Sequence, residues 1–218
     1  MLGRGSDGLV RAALAIGAAT GAYGLSFGAL ADSAGLTLGQ IAAMSTLVFT
    51  GATQLSVAGV LAAGGAVPAA LINGWLIGAR HLGYGVALAP LLRGSRRRRA
   101  VAAQLVIDES TAMARAQPDR QRAERAFWLT GLSVFAWWNA ASIAGALGGR
   151  ALHDPAALGL DAVFPAAFVA LLAPQLRQPG AKVAALTGIA ITAALVPIAP
   201  PGVPVLAAGL AVLTAGRR

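Results

Sequence analysis

An arginine and a histidine, Arg80-His81, stand in the middle of an apolar run from about Ala66 to Leu92 (AVPAALINGWLIGARHLGYGVALAPLL). The run is long enough to cross the hydrocarbon core of a bilayer, roughly 30 Å thick. A cation near the centre of that core costs about 2.5 kcal/mol or more, so it persists only beside a partner, in a water-filled cavity or in a working site. The pair constrains the chain twice. It implies an integral membrane protein, and an interior that is polar near mid-depth. Together these point to the movement of a polar solute.

Only 11% of the 218 residues are charged and 57% are hydrophobic, where a soluble domain carries about 25% charge. The net charge of +9 would suggest nucleic acid on a soluble protein. Here the arginines fall between apolar runs, where they set topology by the positive-inside rule, so no nucleic-acid partner is expected. The chain has no cysteine, and its only histidines are His81 and His153. It lacks a G-x-x-x-x-G-K-[ST] phosphate loop, an H-E-x-x-H metal motif and a G-x-S-x-G nucleophile elbow. No metal, no cofactor and no enzymatic activity are expected.

The N-terminus has arginines ahead of an apolar region, as a signal peptide does. The apolar region continues to Ala31 and further spans follow, so it reads as a retained first span, about Ala12–Ala31. Gly17, Gly21, Gly24 and Gly28 recur at helical spacing on one face, a pattern that lets another helix approach closely. The second segment, about Gly39–Ala63, carries Ser45, Thr46, Thr50, Gly51, Thr53 and Gln54 at its centre. The third places Asn73, Gly74, Gly78, Gly83 and Gly85 around the Arg80-His81 pair, a composition that suggests unwinding there. Broken helices are tolerated at membrane depth where the freed backbone lines a cavity or is buried in protein.

The five arginines within Arg93–Arg99 mark a cytoplasmic loop, and a nucleic-acid or anionic-lipid patch is a sharper reading of the same residues. The stretch 100–116 contains Asp108-Glu109 and is positive on both flanks. It reads as a re-entrant or interfacial helix with its acids turned toward protein. Four spans follow, about Ala126–Leu147, Leu160–Leu176, Lys182–Ala199 and Val203–Ala215. If Arg4, Arg11 and the arginine loop are all inside, residues 12–92 must cross an even number of times. Since they hold three apolar segments, the second or the third must be re-entrant or split. Gly28-Ala29-Leu30-Ala31 and Gly145-Ala146-Leu147-Gly148 form a faint internal echo, each at the outer end of a span. The expected fold is all-α: a polytopic helical membrane protein of about six to seven membrane segments, one or more of them broken or re-entrant. It forms a single integral transport domain over 1–218, with an N-terminal bundle (12–92), a basic loop and short helix (93–125) and a four-span C-terminal part (126–216).

Several motifs occur in an ordered series. Gly21-x-x-Gly24-x-x-Phe27-Gly28-x-x-Ala31 is followed by Ser45-x-x-Val48-Phe49-x-Gly51-Ala52-x-Gln54, then by Ala79-Arg80-His81-x-x-Tyr84-Gly85 and Pro90. Asp108-Glu109, Trp137-Trp138, Gly145 and Gly159-Leu160-Asp161 through Phe164-Pro165-x-x-Phe168 come after them. The series, over about residues 12–177, resembles the AzlC family of branched-chain amino-acid exporters. Gly78-Ala79 departs from the polar residue expected ahead of the arginine, which bears on substrate choice. The resemblance implies the large subunit of a two-component exporter in the bacterial cytoplasmic membrane. Its substrates would be valine, leucine and isoleucine, with methionine as a further candidate, its drive the proton gradient, and its partner a small, very apolar AzlD-type subunit.

For such a substrate, Arg80 offers a planar fork for the carboxylate, and the positive end of a half-helix near Gly78–Gly85 offers another site for it. Ser45, Thr50, Thr53 and Gln54 offer neutral hydrogen bonds, and Phe49 and Trp75 an apolar surface for the branched tail. Asn139, beside Trp137-Trp138, is a further candidate for the pathway. His81 is a candidate proton carrier, with Asp108 and Glu109 as alternatives. Equally, Arg80 can pair with Asp108 or Glu109 as a structural lock. A passive channel and a non-transporting scaffold are the competing readings.

Overall fold

The computed structural model describes residues 3–151, 169, 173, 176–200 and 203–215. Among the described residues every regular element is helical. His153, Asp154, the motif from Gly159 to Phe168, most of the span expected at Leu160–Leu176, Pro201-Gly202 and Arg217-Arg218 lie outside them.

Two long helices form the spine, α1 (Gly3–Ser33) and the later α8 (Arg120–Ala151). Small residues bring their backbones together. A Cβ on Gly17 would press on Ser133 and lie 2.8 Å from the Trp137 ring, and one on Gly24 would lie 2.9 Å from the Trp138 carbonyl. On Gly28 it would run into the Ser142 carbonyl, and on Gly145 into that of Leu25. The contacts climb both helices together, so α1 and α8 run parallel, and the two echoing Gly-Ala-Leu segments face each other. Phe27, stacked 6.2 Å from Trp138, is fully buried in this seam.

Between these helices the chain is repeatedly interrupted. The segment α2 (Leu38–Ala43) is closed at its start by a capping box, in which the Thr37 hydroxyl accepts from Gln40 N–H and Gln40 Oε1 from Thr37 N–H. It runs into a π-helical turn, Met44–Val48, and breaks at Phe49 (φ 21°, ψ 62°) and the extended Thr50, before α3 (Gly51–Ala62) begins. A non-glycine residue at positive φ is a costly conformation. Here packing holds it: the Phe49 ring is buried and meets Phe135 edge-on at 4.9 Å. α4 (Val67–Gly78) returns antiparallel to α3. Asn73 Nδ2 bonds the Ser56 hydroxyl, and a Cβ on Gly74 would lie 2.8 Å from Val57.

The third segment is divided into two helices where the sequence suggested unwinding. α5 (Arg80–Leu88) follows α4 through a single joint residue, Ala79, whose torsions (φ −57°, ψ −25°) stay helical. Its glycines have other uses: Gly74 admits α3, while Gly83 and Gly85 face open space. The extended break lies in the second segment, where side-chain amides can hold it.

α6 (Arg96–Gln104) and α7 (Asp108–Arg115) form a hairpin around the buried turn Leu105-Val106-Ile107. One hydroxyl closes that turn, since Ser110 Oγ accepts from Ile107 N–H (3.1 Å) and donates to the Leu105 carbonyl (2.6 Å). Near its root, Arg98 pairs with Glu124 and lies over the Trp128 ring at 5.3 Å, and at its tip Leu105 packs on Gly131. From Arg98 to Leu105 the chain advances seven residues, about 10 Å of helix, and α7 carries it back against α8. Beyond α8, α9 (Ala181–Leu195) packs on α10 (Val203–Ala208), which touches α4. A 3-10 turn, Gly209–Ala211, separates α10 from α11 (Val212–Ala215), so the span expected at Val203–Ala215 is interrupted.

By length and composition, the helix Asp7–Ser33 is able to cross a membrane alone; Leu38–Val48, Gly51–Ala62 and Ala181–Leu195 are apolar but shorter. The spine gives a direct test. Gly28→Leu should destabilise the protein by about 2 kcal/mol or more, because backbone rather than a flexible side chain must give way. Gly8→Leu, where a Cβ meets nothing within 4 Å, should be nearly neutral. Unfolding midpoints of the two variants in detergent check this.

Candidate functional site

The break at Phe49-Thr50, the joint at Ala79 and the hairpin tip at Leu105–Ile107 converge on one cleft of ≈ 660 Å³. A break exposes carbonyls that have lost their i+4 partners, and in an apolar interior these must be satisfied. Two amides do so. Gln54 Nε2 donates to the Met44 carbonyl (2.7 Å), and Gln104 Nε2 to those of Thr46 (2.6 Å) and Leu47 (3.3 Å). Gln104 also forms part of the cleft wall. It therefore ties the α6–α7 hairpin to the broken helix at the cavity itself.

On the far side of the break, α3 starts with no side-chain cap. The first N–H groups of a helix have no partner within it, so Gly51, Ala52 and Thr53 present the positive end of a half-helix. Thr50 and Thr53, whose hydroxyls lie 3.4 Å apart, line the cleft beside them. The opposite wall belongs to α4 and α5 and includes Trp75, Gly78, His81 and Gly85. Trp75 is 83% exposed, so the cleft is flanked by a large indole at its open side. His81 Nδ1 is 2.9 Å from the Gly78 carbonyl. A carbonyl only accepts, so Nδ1 carries the hydrogen and Nε2 is the free basic nitrogen. That Nε2 has no partner among the described residues.

Asp108, at the hairpin tip, joins α5 to α7. Its Oδ2 is 2.7 Å from Arg80 Nη2, and its Oδ1 accepts from the Tyr84 hydroxyl at 2.6 Å. The ion pair is partly exposed, with side-chain exposures of 32% and 45%.

Phe49, Thr50, Thr53, Trp75 and His81 are thus gathered on one surface. Ser45 and Gln54 are fully buried behind the break. Arg80, Asp108 and Glu109 flank the cleft without forming its wall. Asn139 donates back to the Phe135 carbonyl of its own helix (2.8 Å). Sequence reasoning passed over Gln104, Val106 and Leu82 as wall residues and Tyr84 as a partner of Asp108. Gln104 carries no local signal, since its backbone partners lie 58 and 57 residues away in sequence. Among the described residues no cluster of His, Cys, Asp and Glu is suited to a metal.

Replacing Gln104 by Leu leaves the Thr46 and Leu47 carbonyls without the amide. The expected loss is about 1–3 kcal/mol, read from the midpoint of thermal or denaturant unfolding. Gln104→Glu, which also removes the two donors, should lose at least as much.

No curated protein and no solved structure matches the chain. A family model described as AzlC protein matches residues 15–152. That range holds the long-helix glycines, the broken second segment, the α6–α7 hairpin and every residue of the cleft wall, and the chain accordingly belongs to the AzlC family, a membrane-associated, transport-related family.

Proposed function

We propose that the chain exports branched-chain amino acids, valine, leucine and isoleucine with methionine as a further candidate, across the bacterial cytoplasmic membrane. The observation that carries the proposal is the cleft at the uncapped start of α3. In this reading the substrate carboxylate lies at the start of α3 beside Thr50 and Thr53, which line the cleft, as anions do at helix N-termini. Thr50 and Thr53 supply hydroxyls at that end, and Phe49, Trp75 and Val106 supply apolar surface for the tail. One methylene discriminates by only about 1–3 kcal/mol, so several branched side chains share the site. The Arg80–Asp108 ion pair favours the structural lock over direct carboxylate binding by Arg80. His81, a wall residue whose buried Nε2 has no partner among the described residues, is the proton carrier of this scheme, and uphill export draws on the proton gradient. A small apolar AzlD-type subunit is the expected partner.

The helix directions support a topology for 3–151. α1 and α8 cross from inside to outside. α2 and the π turn span 11 residues, about 16 Å, and α3 spans 12, about 18 Å. Each is half a bilayer, so 38–62 dips in from outside and returns. α4 and α5 with Ala79 give 22 residues, about 33 Å, and cross inward. The α6–α7 hairpin then dips from inside, and the two tips meet at Gln104. This makes the second segment the re-entrant one and satisfies the parity requirement.

Because the chain has no cysteine, single cysteines report sidedness. Gly39→Cys and Gly65→Cys should react with an impermeant thiol reagent from outside, and Ala100→Cys and Ala116→Cys only from inside. Reaction of the first pair from inside overturns the topology. For function, the protein in liposomes, with its partner subunit, should show saturable leucine counterflow, which an open pore lacks. Gly85 lines the cleft, and a Cβ there meets nothing within 4 Å. Gly85→Phe should therefore cut flux about tenfold or more while leaving the unfolding midpoint nearly unchanged. Unaltered flux in that variant removes the cleft from the pathway, and flux insensitive to collapse of the proton gradient removes proton drive.

A further inference from the structure

Arginines from two stretches of sequence gather at one place. Arg93–Arg99 contains five and Arg115–Arg125 four, with no lysine among them. The first stretch is the entry root of the α6–α7 hairpin and the second its exit root, and the Arg98–Glu124 pair holds the two roots together. All these arginines are exposed. The local acids are already engaged: Glu124 pairs with Arg98, and Asp119 accepts from Arg122 N–H (2.8 Å) at the start of α8. Arg98 alone of the group has an ion-pair partner among the described residues.

Charge of one sign on both roots drives them apart. The repulsion is partly screened in water, and counter-charge held against the roots removes it. The site also has a membrane-interface signature, a half-buried tryptophan, Trp128, beneath Arg98. Tryptophans concentrate at the headgroup level. A guanidinium fork matches a phosphate oxygen pair better than an ammonium does, and clusters of arginine beside a membrane segment attract anionic lipid.

We propose that the paired arginine roots form a binding surface for the phosphate groups of anionic phospholipids, and that these lipids clamp the α6–α7 hairpin closed. The inference rests on the membrane topology given above but not on the transported substrate. Bound lipid neutralises both roots at once, and so acts at a distance on the hairpin tip that carries Gln104 and Asp108.

The test uses the full chain in nanodiscs of phosphatidylcholine alone or with phosphatidylglycerol, without substrate. Phosphatidylglycerol should raise the Tm by about 5 °C or more. It should also narrow and shorten the distance distribution between spin labels at Ala100→Cys and Ala116→Cys. The variant with Arg96, Arg97, Arg99, Arg120 and Arg122 all changed to Gln keeps the Arg98–Glu124 pair and should lose most of both effects. Equal Tm and label distances in the two lipids would falsify the clamp. So would a full phosphatidylglycerol response in the five-site variant, or inorganic phosphate acting as well as the lipid in phosphatidylcholine discs. Failure of leucine flux with these lipid responses intact would strike the transport reading and leave this one standing.

Discussion

A backbone that breaks in an apolar interior must find partners for the groups it frees, and that requirement organises this molecule. The π turn at Met44–Val48 and the reversal at Phe49 strand several carbonyls. Water at the membrane surface would satisfy them, but hydrocarbon does not. Gln54 takes the carbonyl of Met44, and Gln104, from a different hairpin, takes those of Thr46 and Leu47. The second break, at Leu105–Ile107, is closed by Ser110. Each break is therefore specified by a polar side chain far from either end of its segment. Because Gln104 belongs to one hairpin and its acceptors to the other, the two irregular segments are mechanically one unit. The cleft exists where that unit faces α4 and α5.

The spine makes this arrangement possible. The parallel contact of α1 and α8 leaves no room for side chains at Gly24, Gly28 or Gly145, so the two helices form a rigid wall. Against it stand the residues that seat both tips. Trp138 touches Gly51 at the start of α3, Phe135 holds Phe49, and Gly131 receives Leu105. Three successive turns of α8 thus fix the depth of two breaks. On the proposed membrane topology, parallel spans are joined by an odd number of crossings, which fits one full crossing by α4–α5 between two re-entrant segments and does not fit two.

Much of this was legible in the sequence. The glycine spacing of α1 identified a close-packing face, and the polar centre of the second segment marked the site of the break. The acidic pair between basic flanks pointed to a re-entrant or interfacial helix with its acids turned toward protein, where the structure has two short helices joined by a buried turn. What misled was the weight given to glycine in the third segment. Glycine lowers the cost of unwinding a helix but does not supply what a break needs, which is amide donors for freed carbonyls. Those donors sit around the second segment, one of them contributed from 58 residues away in sequence. Gln104 was unreadable for that reason, since its importance comes from a tertiary contact with a backbone and no local pattern encodes it.

Arg80 illustrates the same limit from the electrostatic side. Its position in an apolar run demanded a partner, and the sequence contained two acids able to serve, together with a possible ligand. Choosing among them requires knowing that the first residue of α5 and the first residue of α7 meet. Once they do, Asp108 answers both Arg80 and the Tyr84 hydroxyl with its two oxygens. A carboxylate held that way bridges two turns of α5 to the hairpin tip. The charge that first marked the chain as a membrane protein with a polar interior is thereby used at the edge of the cleft. The wall itself is left to neutral hydroxyls, a free helix end and an imidazole. Under the proposed function such a wall suits a zwitterion, because it carries no permanent counter-charge to trap a substrate that must also be let go.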